Sequence, residues 1–147
     1  MIVPDANLLL HAYDAESPFH REAARWWSGL LSGAEPVGLC PVVIFAFLRL
    51  ATSPRVFARP MTVDEAMARI RAWLARSNVR LLVAGPAHVE TVGRLLAAAG
   101  TGGNLVSDAQ IGALAQEYGA TVHTADSDFA RLPGVVWENP LLGSAAD

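Results

Sequence analysis

The sequence predicts a three-layer α/β/α protein with a central parallel sheet of about five short strands. Short apolar runs alternate with longer segments of helical periodicity, which is typical of parallel strands joined by helices. Hydrophobic residues make up 52% of the 147 residues, and this content fits a sheet that is buried on both faces. A chain of this length is expected to form one domain, which we place at residues 1–140, with a C-terminal tail at 141–147.

The predicted strands are short and apolar. The first, Ile2-Val3, begins directly after the initiator methionine and ends just before Asp5. The others are expected at residues 37–39, 79–83, 121–123 and 135–137. Ligands bind at the carboxyl ends of strands in open α/β sheets, so the residues that follow these strands are the first candidates for a functional site.

The first half of the chain carries three helix signals. A short helix is expected to leave the first strand and to end at Tyr13. Ser17-Pro18 predicts the start of a second helix, with serine as the N-cap and proline at the first helical position, and Gly33 marks its end. Pro41 opens a third helix, 42–50, which is apolar almost all round and is therefore expected to be buried or paired with another chain.

Two further helices follow the long loop at residues 52–60. Thr62 and Glu65 have the spacing of a capping box and predict the start of the fourth helix, whose inward residues include Leu74. Gly85-Pro86 precedes the fifth helix, and its apolar periodicity turns Val89 inward.

The chain is acidic overall but has one basic region. The formal net charge is −3, which argues against nonspecific binding of nucleic acid by the whole surface. All eleven basic residues are arginines, and seven of them lie between Arg49 and Arg80. This stretch predicts a local basic face, although arginine-rich solvated helix faces would give the same pattern. The absence of lysine excludes P-loop and phosphoaspartyl enzymes, which need one beside the phosphoryl group.

Four aspartates are the candidate site residues. Asp5 follows the first strand, and Asp126 and Asp128 follow the fourth. Asp108 lies about one turn into a sixth helix, predicted at 104–118, on the same stripe as its apolar residues, where an acid is unfavourable unless it is paired or coordinated. Two ordinary roles compete with this interpretation: Asp108 as a late N-cap, and one of the last two aspartates as a helix cap.

Carboxylates that meet at one edge of a sheet repel each other unless a cation lies between them. Oxygen ligands suit Mg²⁺ or Mn²⁺ rather than zinc, and such an ion can activate water and stabilise charge on a phosphate. No two of the four histidines are spaced as metal ligands, and there is no serine or cysteine nucleophile motif. Cys40 is the only cysteine, and neither a secretory signal nor a membrane-spanning run occurs, so a cytoplasmic location is expected.

The motifs of this chain together resemble the PIN domain, specifically the VapC ribonuclease toxins of type II toxin–antitoxin pairs. Three of them are Asp5-Ala6-Asn7, the segment 104–109 (Asn-Leu-Val-Ser-Asp-Ala) and the segment 124–129 (Thr-Ala-Asp-Ser-Asp-Phe). The segment 47–57, which begins Phe-Leu-Arg, resembles a branch of this family that is abundant in mycobacteria. The order and spacing of the motifs are more specific than any one of them.

The resemblance implies a PIN-like fold and Mg²⁺-dependent cleavage of structured RNA, either transfer RNA or ribosomal RNA. It also implies a homodimer and inhibition by a VapB-type antitoxin. Asp5 and Asp108 would bind the ion directly, with Asp126 or Asp128 completing its shell or orienting the attacking water, and Asn7 would support the shell or contact a phosphate. Contacts to the RNA backbone are expected from Arg49, Arg55 and Arg59.

One position departs from the family pattern. Many members place a glutamate in the helix after the second strand, where this chain has Ala46, and no acid occurs between Glu35 and Asp64. The site is therefore expected to hold one metal ion firmly and a second one weakly or only with RNA bound, or to rely more heavily on Asp126 or Asp128.

Three functional hypotheses remain open on the sequence. The leading one is a metal-dependent endoribonuclease toxin. The second, motivated by Ala46, is a catalytically degenerate PIN domain that binds RNA or a partner protein, and the third is a DNA-directed nuclease of the same fold. The apolar helix at 42–50 and the Trp26-Trp27 pair are candidates for a dimer or antitoxin surface, with burial in the core as the alternative.

Overall fold

The computed structural model describes residues 1–143 and contains a five-stranded sheet whose neighbouring strands are all parallel. The strands are β1 (Ile2–Pro4), β2 (Val37–Leu39), β3 (Val79–Leu81), β4 (Thr121–His123) and β5 (Trp137–Glu138). Their order is β3-β2-β1-β4-β5. The chain adds β2 and β3 on one side of β1 and then β4 and β5 on the other, so the strand order reverses between β1 and β4. The predicted α/β/α class with a parallel sheet of five short strands is confirmed, and its ligand crevice is expected at this reversal point.

Within the described residues, six α-helices connect the strands. They are α1 (Ala6–Tyr13), α2 (His20–Ser32), α3 (Pro41–Ala51), α4 (Val63–Leu74), α5 (His88–Ala99) and α6 (Leu105–Glu117), and a short 3₁₀ helix (Ser127–Arg131) follows β4. The predicted capping box of α4 is confirmed. The Thr62 hydroxyl accepts the N–H of Glu65 at 3.1 Å, and the Glu65 carboxylate accepts the N–H of Thr62 at 3.3 Å.

The predicted start of α2 at Ser17-Pro18 was too early. The Ser17 hydroxyl makes the local bond expected of a cap, but the helix begins only at His20. This hydroxyl accepts the N–H of Phe19 at 3.1 Å and lies 2.7 Å from Nδ1 of His11. These residues therefore form a turn, and α2 starts at His20.

Two apolar residues that were predicted to face inward are exposed. Leu74 at the end of α4 is 37% exposed, and Val89 in the first turn of α5 is 78% exposed. In α5 only Leu95 is fully buried. The fifth strand was also predicted too early, because Val136 is exposed and pairing with β4 begins at Trp137. Periodicity identifies an apolar stripe, but it does not show how far the neighbouring elements extend to cover it.

Three buried aromatic side chains, Trp27, Phe47 and Trp73, form an aromatic layer together with the half-buried Tyr13. The Trp73 ring lies 4.8 Å from Phe47, 5.5 Å from Trp27 and 5.8 Å from Tyr13 between centroids. Its indole N–H donates to the Tyr13 hydroxyl at 2.8 Å. The layer therefore joins α1, α2, α3 and α4, and it assigns Trp27 to the core. The adjacent Trp26 is half-buried.

The apolar helix α3 has one buried face and one exposed face. Val43, Ile44 and Phe47 are buried against the core, which confirms the core alternative for this side. Phe45 lies on the other side and is 65% exposed. The sequence alone did not separate the two faces, because both are apolar.

The C-terminal boundary of the domain stays a prediction. The domain was predicted to end at residue 140, and Leu141 in the predicted tail packs partly buried against the core. Residues 144–147 of that tail lie outside the described residues. No helix within residues 1–143 has the length and apolar character needed to cross a membrane.

Candidate metal centre

Asp5 lies where β1 ends and α1 begins, at the reversal point of the sheet. Its backbone is extended, and its Oδ1 accepts the N–H of Ala6 at 2.7 Å, which caps α1. The backbone N–H of Asp5 donates to the carbonyl of His123 at 2.9 Å and so ties the end of β1 to the end of β4. The residue is only 8% exposed. The predicted position of Asp5 at the carboxyl end of the first strand is confirmed.

Thr124, which was not singled out from the sequence, links Asp5 to the turn that carries Asp126. Its side chain is fully buried, and its hydroxyl donates to Oδ2 of Asp5 at 2.8 Å. The same oxygen accepts the backbone N–H of Asp126 at 2.9 Å and lies 3.4 Å from Nδ2 of Asn7. One hydroxyl thus fixes the orientation of an acid from β1 relative to the turn after β4. A threonine between a strand end and an aspartate two residues later was the available signal.

Asp108, Asp126 and Asp128 form an acidic cluster, in which one carboxylate oxygen from each residue lies within 4.8 Å of the others. Asp108 comes from the first turn of α6, and the other two come from the turn after β4. Because α6 already begins at Leu105, the late N-cap alternative for Asp108 is excluded. Asp126 accepts the N–H of Asp128 through Oδ1 at 2.9 Å, so it caps the 3₁₀ helix and also belongs to the cluster.

The negative charges at this edge oppose each other. Burial is the largest cause that raises the pKa of Asp108 to about 7, and the charges of Asp5, Asp126 and Asp128 raise it further. Burial also raises the pKa of Asp5, against the hydrogen bond from Thr124, which lowers it. Carboxylates in such an arrangement need either protons or a counter-charge, and a divalent cation provides the latter.

The donor atoms at this edge fit a hard divalent cation. The acidic cluster offers carboxylate oxygens from two separate segments of the chain. Asn7 adds an amide oxygen, Oδ1, which is buried and has no hydrogen-bond partner within residues 1–143. Its Nδ2 is already directed to the Thr124 hydroxyl, so Oδ1 is left as a free acceptor. Carboxylate and amide oxygens are the ligands of Mg²⁺ and similar ions, whereas zinc prefers nitrogen and sulfur.

The three arginines that were predicted to contact RNA lie in different surroundings. Arg49 and Ala46 line a groove between α3 and α6, which is the helix that carries Asp108. Arg59 lines a separate cavity at the end of α1. Arg55 is exposed in the loop between α3 and α4. The structure therefore brings one of the three, Arg49, next to an acid-bearing helix.

Asp5 and the acidic cluster together form what we call the acidic edge, and two other titratable groups near it, Cys40 and His123, do not offer a nucleophile. Cys40 is fully buried, and burial raises the pKa of its thiol to about 12, so the reactive thiolate is absent near neutral pH. Burial lowers the pKa of His123, although Glu138, 2.8 Å from its Nε2, opposes this shift. Nδ1 of His123 accepts the indole N–H of Trp26 at 3.0 Å. Each ring nitrogen of His123 therefore faces a polar group, the Trp26 indole at Nδ1 and the Glu138 carboxylate at Nε2.

Sequence comparisons identify a family for this chain and relatives that are named ribonucleases. The family described as "PIN domain" matches residues 2–135. The chain is 44% identical to ribonuclease VapC33 of Mycobacterium tuberculosis over 141 residues, which cover 96% of this chain and 99% of the relative. It is 41% identical to ribonuclease VapC37 of the same species over 140 residues, which cover 95% and 97% of the two chains.

Comparisons with solved structures agree on the fold. VapC20 of M. tuberculosis, described as a sarcin–ricin loop cleaving toxin, superposes with a TM-score of 0.70 at 22% identity and covers 92% of this chain and 97% of its own. A chain of the VapBC2 complex from Rickettsia felis, bound to a promoter DNA fragment, gives a TM-score of 0.65 at 18% identity and covers 95% and 98%. At these identities the likeness concerns the fold alone.

Proposed function

The chain belongs to the PIN domain family, and we propose that it is a VapC-type toxin that cleaves RNA internally with the help of a divalent metal ion. The observation that carries this proposal is the acidic edge, where Asp5 and the acidic cluster meet at the reversal point of the sheet. Relatives that are named ribonucleases and that match over nearly the whole chain support the same activity.

We propose Mg²⁺ as the ion, with Mn²⁺ as a substitute. Asp5, Asp108 and Asp126 would hold it, and Asp128 would complete its shell or orient the attacking water. A bound divalent ion supplies Lewis acidity toward water and toward a phosphate oxygen. The chain itself supplies the positioning, because the Thr124 hydroxyl sets the orientation of Asp5 and of the turn that carries Asp126 and Asp128.

The substrate that we propose is structured RNA, either transfer RNA or ribosomal RNA. One relative by fold is described as a toxin that cleaves the sarcin–ricin loop, a segment of ribosomal RNA. Because the net charge is −3, attraction of RNA must come from local cations. Arg49 is the best placed of them, and Arg55 and Arg59 would contact RNA further from the metal. Asn7 would support the metal shell or contact a phosphate.

The proposed partners follow from the toxin assignment. A VapB-type antitoxin would inhibit the enzyme, and several relatives by fold were solved as VapBC complexes. We also propose a homodimer and a cytoplasmic site of action, where the RNA substrate is found.

The test is cleavage of total RNA by purified wild type and by D5N and D108N, each with Mg²⁺ and with EDTA. We expect cleavage by the wild type in Mg²⁺ only, and a large loss of cleavage in both variants. The matched control is D64N, which removes an exposed acid from the first turn of α4. Full activity in D5N or D108N would falsify the site assignment.

Two other outcomes separate the competing hypotheses. RNA binding without cleavage, together with no growth arrest upon expression without an antitoxin, would favour the degenerate binding domain that Ala46 suggested. Cleavage of single-stranded or duplex DNA in preference to RNA would favour a DNA-directed nuclease. Mapping of RNA ends after induction would identify the target in the case of a ribonuclease.

A further inference from the structure

A groove runs between α3 and α6 beside the acidic cluster. It has a volume of about 470 Å³ and lies within the range of small-molecule sites. Its α3 wall is a stripe with helical spacing, formed by Val42, Phe45, Ala46 and Arg49, whereas the opposite face of α3 is buried. The full lining consists of Pro41, Val42, Phe45, Ala46, Arg49, Ser107 and Gln110.

Two residues that line the groove are sequence neighbours of residues at or near the proposed metal centre. Ser107 in its α6 wall directly precedes Asp108, which belongs to the acidic cluster. Pro41 in its α3 wall directly follows Cys40, whose thiol is close enough to Asp5 to respond to its charge. A ligand that fills the groove would therefore lie along α3, close to the acidic edge.

Two side chains in the groove have no polar or ring partner within residues 1–143. Phe45 is 65% exposed and makes none of the ring contacts found there, unlike the aromatic layer. The guanidinium of Arg49 is exposed and forms no hydrogen bond or ion pair in that part of the chain, which also holds for Arg71, but only Arg49 lies in the groove. An unpartnered aromatic ring and an unpartnered cation, four residues apart on one helix face, suit a base and its phosphate.

We infer that this groove binds one unpaired nucleotide of the RNA substrate beside the scissile phosphate, with its base against Phe45 and its phosphate on Arg49. The inference rests on the proposed ribonuclease function and adds to it the subsite that holds the flanking nucleotide. Gln110 lies in the wall and carries an amide that can pair with the edge of the base. Ala46 leaves the centre of the groove open, where a longer acidic side chain would repel a phosphate.

The charge of the lining favours RNA over a second copy of the chain. A two-fold contact through this groove would bring Arg49 from both copies into one interface. No acid lines the groove to neutralise these charges. A phosphodiester supplies the missing negative charge, so a nucleotide satisfies both the cation and the ring.

The experiment measures binding of fluorescein-labelled single-stranded RNA of about ten nucleotides in EDTA, so that cleavage does not occur. F45A is expected to weaken binding by about 5- to 100-fold, and F45W is expected to restore it, because base stacking needs an aromatic ring at this position. R49A is expected to weaken binding and to reduce its dependence on salt. With a 2-aminopurine base in the RNA, F45W is expected to give stronger quenching than wild type, which a purely structural role would not produce.

The matched controls are F19A and R71A, which remove an exposed phenylalanine and an exposed arginine outside the groove. Both are expected to bind RNA as wild type does. If F45A and R49A also bind and cleave RNA as wild type does, the inference is wrong and the ribonuclease function stands. If light scattering shows that F45A converts a dimer to a monomer, the groove is covered by a second copy and the inference is again wrong. If F45A and R49A weaken binding but wild type cleaves no RNA, the subsite stands and the proposed catalysis fails.

Discussion

The acidic edge and the aromatic layer make opposite contributions to the stability of the fold. In the aromatic layer the large side chains gain by burial, and the Trp73 indole N–H is paired with the Tyr13 hydroxyl, whereas the buried Trp27 indole N–H has no hydrogen-bond partner within residues 1–143. At the acidic edge, burial and mutual repulsion raise the pKa values of Asp5 and Asp108. One region therefore stabilises the fold, and the other is unfavourable until a cation binds.

The difference teaches that the two regions can be perturbed separately. Functional sites commonly hold groups that oppose folding, and removing such a group often raises stability while activity is lost. A core position behaves in the reverse way, because its removal lowers stability and leaves the chemistry of the folded molecules unchanged. Four measurements test whether the two regions of this protein divide in this manner.

The largest effect is expected from W73A in the aromatic layer. Trp73 is 1% exposed and contacts Tyr13, Trp27 and Phe47, so truncation leaves a cavity at the junction of four helices. The free energy of unfolding is expected to fall by about 3–5 kcal/mol. Urea denaturation measures it, and the RNA cleavage rate of the folded fraction is expected to stay that of wild type.

The control for this change is W73F, which keeps an aromatic ring but removes the N–H that donates to Tyr13. Its free energy of unfolding is expected to fall less than that of W73A. The loss in W73F corresponds to one hydrogen bond and a partial cavity. A loss of the cleavage rate in folded W73F would show that the aromatic layer and the acidic edge are coupled.

The second effect concerns metal binding and D108N. Mg²⁺ at a hundredfold excess over its dissociation constant is expected to stabilise wild type by about 2.7 kcal/mol, since it binds the folded state alone. D108N is expected to lose this stabilisation, because one ligand and one charge of the acidic cluster are gone. In EDTA, D108N is expected to melt above wild type, because an opposed buried charge has been removed. Equal melting of the two proteins in EDTA would contradict the proposed repulsion.

The positions of the four aspartates could be predicted from the sequence because they depend on local signals. Asp5, Asp126 and Asp128 follow strands, and the parallel topology brings strand ends to one edge. Asp108 was found through helical periodicity. The capping box at Thr62 depends only on residues within one turn, and it also formed as predicted.

The parts that failed depend on distant contacts that one sequence does not encode visibly. Thr124 matters because its hydroxyl lies against Asp5, 119 residues away in sequence. Val89 lies on the apolar stripe of α5 and is exposed, because burial of a stripe depends on which elements pack against it. The start of α2 was placed too early because a serine hydroxyl that accepts the N–H two residues later fits a turn as well as a helix cap. In these cases the local pattern was compatible with two structures.

The third effect is expected from T124V, which keeps the shape of the side chain and removes the hydroxyl. The Asp5 carboxylate would lose a donor and the N–H of Asp126 would lose an acceptor, both at a buried site. We expect a loss of about 1–3 kcal/mol in stability and of about 10- to 100-fold in cleavage rate. T121V, at the start of the strand β4 that precedes Thr124, is the matched control, since no side-chain hydrogen bond of Thr121 is found within residues 1–143. Equal rates in the two variants would show that Thr124 does not position the site.

The smallest effect is expected to be a pH dependence of stability in the absence of metal, because Asp108 is only half-buried and solvent screens its charge. The pKa of Asp108 is about 7 in the folded state, against 3.8 for an unperturbed aspartate. Between these values the folded state binds more protons than the unfolded state, so stability falls as the pH rises toward 7. Melting temperatures in EDTA at acidic and at neutral pH are therefore expected to decline more in wild type and in D64N than in D108N. The comparison between variants isolates the contribution of the Asp108 carboxyl group from that of the other titrating groups. One of these is His123, whose lowered pKa makes stability rise with pH instead. A decline of the same size in all three proteins would place the pH dependence outside the acidic cluster.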